Sequence, residues 1–178
     1  MKLPSRSPLG PIRQVGYVVP DIAQAARYWI ERHGAGPFFE VGEISFDGWS
    51  YRGAPQQLPL FIAFGQLGEV MIELIRPGSA IESVYSHAIG PAPVLHHLGF
   101  LVPDLDAAAS AAGLGEIVTE ARSVTGTGLR YYDSRAQNGV MTELLTDRAD
   151  MRETFELSRT AALGWDGSSP FRPFPLPT

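Results

Sequence analysis

The chain has 178 residues, a formal charge of −5 and 44% hydrophobic residues, which suits one folded domain or two fused half-domains and is too apolar for disorder. A single lysine and scattered arginines leave no basic stripe for nucleic acid or an anionic membrane. With no cysteine, disulfides, thiolate metal sites and a cysteine nucleophile are excluded together.

MKLPSRSPLG lacks the apolar core of a secretory signal, and no apolar run approaches membrane-spanning length, so a soluble, cytoplasmic protein is expected. Residues 1–11 read as an irregular lead-in. The β-branched run 12–19 (IRQVGYVV) predicts a strand that Pro20 stops. Asp21 is placed to cap a helix over IAQAARYWIERH, with Gly34 after its last turn. Strands are predicted near 37–46, 59–65 and 69–76, with residues 47–59 as a loop between the first two. Residues 79–88 suggest a short helix.

The second half repeats this order. LHHLGFLV predicts a strand, Asp104 caps a helix over DLDAAASAAG, and EIVTEA, LRYYDS and GVMTELLT read as strands. ADMRETFELSRTAA (149–162) has helical spacing, and the tail GWDGSSPFRPFPLPT cannot continue a helix or enter a central strand. That tail is expected to lie over a neighbouring surface, its own or that of a partner in a homodimer.

The repetition is specific. An offset of 83 pairs Gln14 with His97, Gly16 with Gly99, Pro20 with Pro103 and Asp21 with Asp104; an offset of 70 pairs Met71 with Met141 and Glu73 with Glu143. Two matched blocks in the same order define a duplicated βαβββ module. The offsets differ by 13, which places about a dozen extra residues in the first copy's 47–58 segment. The organisation is therefore lead-in 1–11, module 12–78, linker 79–94, module 95–147, and C-terminal helix and tail 148–178, together one α+β domain.

Strand alternation sends Gln14 and Gly16 to one face, His97 and Gly99 to the equivalent face, and each glutamate to the same face as its preceding methionine. Taken singly, a strand glutamate or a histidine beside leucine is an ordinary surface or core residue. A carboxylate recurring among apolar neighbours at equivalent places of a repeat is costly unless paired or metal-bound. Gln14, Glu73, His97 and Glu143 together suit a divalent cation with room for further ligands. Alternation sends His96 to the opposite face, as a packing or supporting residue, and His87 has no evident role.

Two such modules, opening on Q/H-x-G-x-x-V-P-D and closing on E-L, resemble the vicinal oxygen chelate superfamily, which includes glyoxalase I, methylmalonyl-CoA epimerase, extradiol dioxygenases and bleomycin-resistance proteins. The resemblance covers about residues 12–146, and VMIELIRP and LHHLGFLVPDLDAA are most similar to the methylmalonyl-CoA epimerase-like branch. It implies mixed sheets curled into a cup around a central metal, with Gln14, Glu73, His97 and Glu143 as ligands. The Gln-Glu-His-Glu set itself resembles that of animal-type glyoxalase I, whereas typical epimerases begin with histidine.

The resemblance implies a metal-dependent isomerase or lyase that stabilises a chelated enolate or enediolate of a carbonyl or thioester substrate, with Zn, Mn, Co, Ni or Fe as the ion. Glu143 is the first candidate for the proton-transferring base and Glu73 the second. One departure concerns the epimerase pattern: the segment APQQLPLF carries Gln56 and Gln57 where that branch has a further acidic base. Dioxygenase chemistry is disfavoured, because it uses two histidines and only His97 stands at a ligand position. Trp49, Tyr51, Arg52 and Tyr131 are candidate substrate contacts, and Arg13 and Arg130 are further possible anion contacts. The alternative from another class is a metal-free protein of the bleomycin-resistance type that sequesters a small molecule.

Overall fold

A computed structural model describes residues 7–175. The chain opens with strand β1 (Gln14–Val18), helix α1 (Ile22–His33) and strand β2 (Phe38–Ile44). Asp21 accepts a hydrogen bond from the Gln24 backbone N–H, and Gly34 takes the left-handed conformation past the last turn. Both helix ends thus carry the caps expected of them.

Residues 47–59 are not a plain loop. They hold strands β3 (Asp47–Tyr51) and β4 (Ala54–Pro55), joined by Arg52 and Gly53, both at positive φ. Two successive positive φ values make the tight turn whose twist matches a hairpin. Local sequence hides this strand because its main ladder partner lies in the other module. Strands β5 (Leu60–Leu67) and β6 (Val70–Pro77) complete the first copy.

The helix expected over 79–88 is reduced to a single 3₁₀ turn at Ser86–Ala88, preceded by buried Ser83, Val84 and Tyr85 and tied by the Ser83 N–H donating to Ser86 Oγ at 2.8 Å. The second copy then runs β7 (Val94–Val102), α2 (Leu105–Ala112), β8 (Ile117–Arg122), β9 (Gly128–Tyr132), a one-turn helix α3 (Arg135–Asn138) and β10 (Met141–Thr146). Helix α4 (Ala149–Ala162) follows, and the Pro-rich tail forms a short strand β11 (Phe171–Pro173).

Among the described residues, eleven strands join one mixed sheet in the order β11-β2-β5-β6-β1-β7-β10-β9-β8-β3-β4. The core order β2-β5-β6-β1 is mirrored by β7-β10-β9-β8 about an antiparallel β1–β7 seam. Inserted between β2 and β5 at one side of this sheet, β3 nevertheless pairs with β8 at the other. The sheet therefore curls far enough for a strap of the first module to reach the second. Inside the curl lie Trp49 from the strap, Val84 and Tyr85 from the linker, and Tyr131 and Met141 from the second module. Helix α1 covers the opposite face of the first module, where its Ala25 and Ala26 share a core with Phe38 of β2, and α2 covers that of the second, where its Ala108 shares a core with Leu144 of β10.

Strand β11 adds parallel to the outer edge of β2, pairing Phe171 with Phe38 and Pro173 with Glu40. An edge tolerates proline because one side of the strand needs no ladder donor. The tail thus covers a strand of its own sheet. Shortening the chain to residues 1–169 should lower the melting temperature, by about 2–4 °C for each kcal/mol of lost pairing and burial. An unchanged scanning-calorimetry transition would show that the added strand contributes nothing.

Candidate metal centre

Register places the candidate residues in two neighbouring rows across the seam. One row runs Glu73 (β6), Gly16 (β1), His97 (β7), Met141 (β10). The other runs Met71 (β6), Gln14 (β1), Gly99 (β7), Glu143 (β10), Tyr131 (β9). Each glycine of the duplicated phrase therefore lies opposite the polar residue of the other copy.

The glycines are there for space. A Cβ on Gly16 would stand 1.8 Å from His97 Cε1 and 2.3 Å from its Nε2. A Cβ on Gly99 would stand 3.0 Å from Gln14 Cβ and 3.1 Å from Glu143 Oε2. Q-x-G and H-x-G are thus reciprocal sockets: each strand supplies one polar side chain and one bare backbone position to receive its counterpart.

Glu73, His97 and Glu143 meet at the centre, with one potential ligand atom of each within 4.8 Å of the others. They are 6%, 0% and 3% exposed. His97 Nε2 lies 3.2 Å from Glu73 Oε2 and 3.2 Å from Glu143 Oε2. Although these distances are short, none of the three atoms has a hydrogen bond of acceptable geometry. Three buried ligand atoms that converge on one point and make no hydrogen bond are costly as they stand, with only the charge attraction among themselves to offset it. A divalent ion removes that cost, and one imidazole with two carboxylates is a suitable donor set. The buried Gln14 amide lies beside Glu73 and favours its charged form, so it adds a fourth candidate ligand on the same face.

Electrostatics express the same tension. Burial raises the Glu73 pKa, and the Glu143 charge raises it further against the opposing effect of His97. Burial alone would lower the His97 pKa, but the two carboxylates outweigh it and push it up to about 10. Without an ion, the imidazole is held as a cation between two acids.

The other candidates divide. Tyr131 stands beside Glu143, with its ring 5.2 Å from that of His97. Trp49 is buried in the interior, where its Nε1–H donates to Gln56 Oε1 at 3.3 Å. Gln56 Nε2 in turn donates to the Glu82 carbonyl at 2.6 Å, so this residue braces the strap against the linker. Tyr51 and Arg52 do not join the cluster; with His87, Val118, Asp133 and Arg135 they line a separate cavity of 200 Å³. Arg130 is committed to Asp106 and Glu120 at 2.6 and 2.8 Å. Arg13 instead packs its guanidinium over the Phe155 ring.

Two site residues escaped the sequence reading. Tyr85, from the linker, is 2% exposed and shares a 3.3 Å hydroxyl contact with Tyr131, the ladder neighbour of Glu143. Nothing in a linker sequence marks it. His96 does not face away from His97. Gly16 pairs with His97 but Tyr17 pairs with Leu95, so His96 is the extra residue of a β-bulge. A bulge breaks alternation, and here it turns both histidine rings inward.

Residues 13–131 match the Glyoxalase/Bleomycin resistance protein/Dioxygenase superfamily, and the chain belongs to this family. Its fold is similar to that of methylmalonyl-CoA epimerase from Mycobacterium tuberculosis, with 18% identity over 85% of this chain and 97% of that one and a TM-score of 0.58. A variant of the Streptomyces coelicolor methylmalonyl-CoA epimerase in complex with 2-nitronate-propionyl-CoA is similar at 18% identity, over 79% and 96% of the two chains, with a TM-score of 0.56. A methylmalonyl-CoA epimerase in complex with methylmalonyl-CoA and NH4+ gives 18% identity, 78% and 94% coverage and a TM-score of 0.54. These likenesses are of fold. Comparison with curated proteins by sequence gives no match. Among the described residues, no helix is long and apolar enough to cross a membrane.

Proposed function

We propose that the protein is a metal-dependent isomerase or lyase that moves a proton beside the carbonyl of a small ketone or acyl thioester. The observation that carries this reading is the convergence of three buried, hydrogen-bond-orphaned atoms, His97 Nε2, Glu73 Oε2 and Glu143 Oε2. In this reading Gln14, Glu73, His97 and Glu143 hold a divalent ion. Such an ion, when bound, supplies Lewis acidity that stabilises negative charge on the substrate oxygen.

Glu143 takes and returns the proton, and Glu73, from the other copy of the module, is positioned to serve the opposite face. Tyr131, beside Glu143, excludes water from the carboxylate and orients it. Tyr51 and Arg52 contact the remote part of the substrate from the neighbouring cavity, with Trp49 bracing the strap that carries them. Tyr85 and its linker must shift for a substrate to reach carboxylates this deeply buried. Gln56 cannot replace an acidic base, because an amide takes no proton at neutral pH, and its side chain instead bonds Trp49 and the Glu82 carbonyl. This favours an acyl or keto substrate other than methylmalonyl-CoA.

Elemental analysis and metal titration test the reading directly. At a Mn2+ concentration one hundred times its Kd, binding should stabilise the fold by about 2.7 kcal/mol, read as a rise in melting temperature that a chelator reverses. Deuterium exchange at the α-carbon of ketone and acyl-thioester probes should depend on the ion. A protein that is purified without metal and takes up none would instead leave the metal-free sequestering protein as the reading. The proposal includes a cytoplasmic homodimer, which a monomeric mass by light scattering would overturn.

A further inference from the structure

The bulge in β7 brings His96 into a hydrogen-bonded chain that ends at the cluster. His96 Nε2 lies 3.0 Å from the Val84 carbonyl oxygen, and His96 Nδ1 lies 3.0 Å from His97 Nδ1. A carbonyl oxygen only accepts, so the proton on His96 sits on Nε2. The ring is 0% exposed and packs between Tyr85, at 4.8 Å, and Tyr131, at 5.6 Å between centroids. With its Nε2–H directed at the Val84 carbonyl, and with His97 Nε2 facing Glu73 and Glu143 as a ligand atom, His96 presents at Nδ1 the lone pair that accepts from His97. The hydrogen between the two rings therefore belongs to His97 Nδ1.

We infer that His96 is a positioning residue for metal ligation: by accepting the Nδ1–H of His97, it fixes the tautomer whose Nε2 lone pair faces Glu73 and Glu143. The opposite tautomer would aim an N–H at the ion and could not ligate it. Val84, in the linker between the modules, is the anchor of the chain, so the linker's position is felt by a ligand it does not touch. This inference rests on the metal reading above. Removal of an outer partner of this kind typically costs 10–100-fold in metal affinity.

Three substitutions separate ligand orientation from simple packing. His96→Asn keeps an acceptor near the Nδ1 position, His96→Gln keeps a donor near the Nε2 position that meets Val84, and His96→Phe keeps only the ring shape. Calorimetric titration with Mn2+ should give near wild-type affinity for His96→Asn and affinity about 10–100-fold weaker for His96→Gln and His96→Phe. If His96→Gln binds like wild type while His96→Asn does not, the residue only anchors the linker and the inference is overturned. Equal affinity in all three variants overturns it too. Histidine 15N NMR of the unmutated, Zn2+-loaded protein needs no variant to fold: His97 should be protonated at Nδ1 and His96 at Nε2, and a proton on His96 Nδ1 would refute the assignment. If the wild-type protein binds no divalent ion, the metal reading itself fails, and this inference with it.

Discussion

Replacing Gly16 with alanine is expected to abolish divalent-metal uptake and to destabilise the fold by roughly 1–3 kcal/mol or more. The new Cβ would stand 1.8 Å from His97 Cε1 and 2.4 Å from Nδ1, distances that no packed pair of atoms sustains. The ring has no room to retreat, since it is fully buried and flanked by Tyr131 and His96. Either the β1–β7 seam opens or the imidazole leaves the cluster, and the ligand geometry is lost in both cases. Because total stabilities are of the order of 5–15 kcal/mol, this is a large effect for one methyl group. Gly90→Ala is the matched control: nothing lies within 4 Å of its Cβ position. It should be neutral, or stabilising by up to about 1 kcal/mol through the unfolded chain. Gly99→Ala should fall between them, because its nearest neighbours, at 3.0 and 3.1 Å, need give only slightly. Chemical denaturation and metal titration of the three variants give the ranking, and a Gly16→Ala protein with wild-type values in both would remove the socket argument.

Glu143→Gln should leave the protein folded and reduce proton transfer by about 10²–10⁴-fold. The amide is close in shape to the carboxylate, and the residue is held in the middle of β10 between Tyr131 and Gly99. What changes is that an amide neither takes nor returns a proton at neutral pH, and that one charge leaves the cluster. Metal affinity falls as well, so the comparison belongs at saturating ion. Carbon-bound hydrogen exchange into D2O, followed by NMR, separates loss of the base from loss of binding. Unchanged exchange would exclude Glu143 as the base and transfer the role to Glu73, whose own Glu73→Gln variant then becomes the decisive one.

The repeat itself was plain in the sequence because it is written in residue types with narrow uses. Asp21 and Asp104 cap helices, Pro20 and Pro103 end strands, and both glutamates sit where apolar residues would otherwise stand. Given two copies, alternation on β1, β6, β7 and β10 was enough to put Gln14, Glu73, His97 and Glu143 on one face. The strap was not legible. Trp49, Ser50 and Tyr51 carry no local signal for a strand whose partners, Glu120 and Thr119, are about seventy residues away. Nor was the inward turn of His96 legible, since one unpaired residue in a ladder reverses the face without altering composition.

By itself, the sequence determined the duplicated module, its order of elements and the residue types offered to the centre. These follow from short-range physics: caps, strand periodicity and the cost of a carboxylate among apolar neighbours. Tertiary structure alone decided how the two copies meet. The antiparallel β1–β7 seam sets Gly16 against His97 and Gly99 against Gln14, and so converts two polar pairs into one cluster. It also decided that Tyr85 of the linker meets Tyr131 and that His96 stands behind His97. Such contacts join residues far apart in the chain, or break a ladder at a single point, and only the folded sheet fixes their distances.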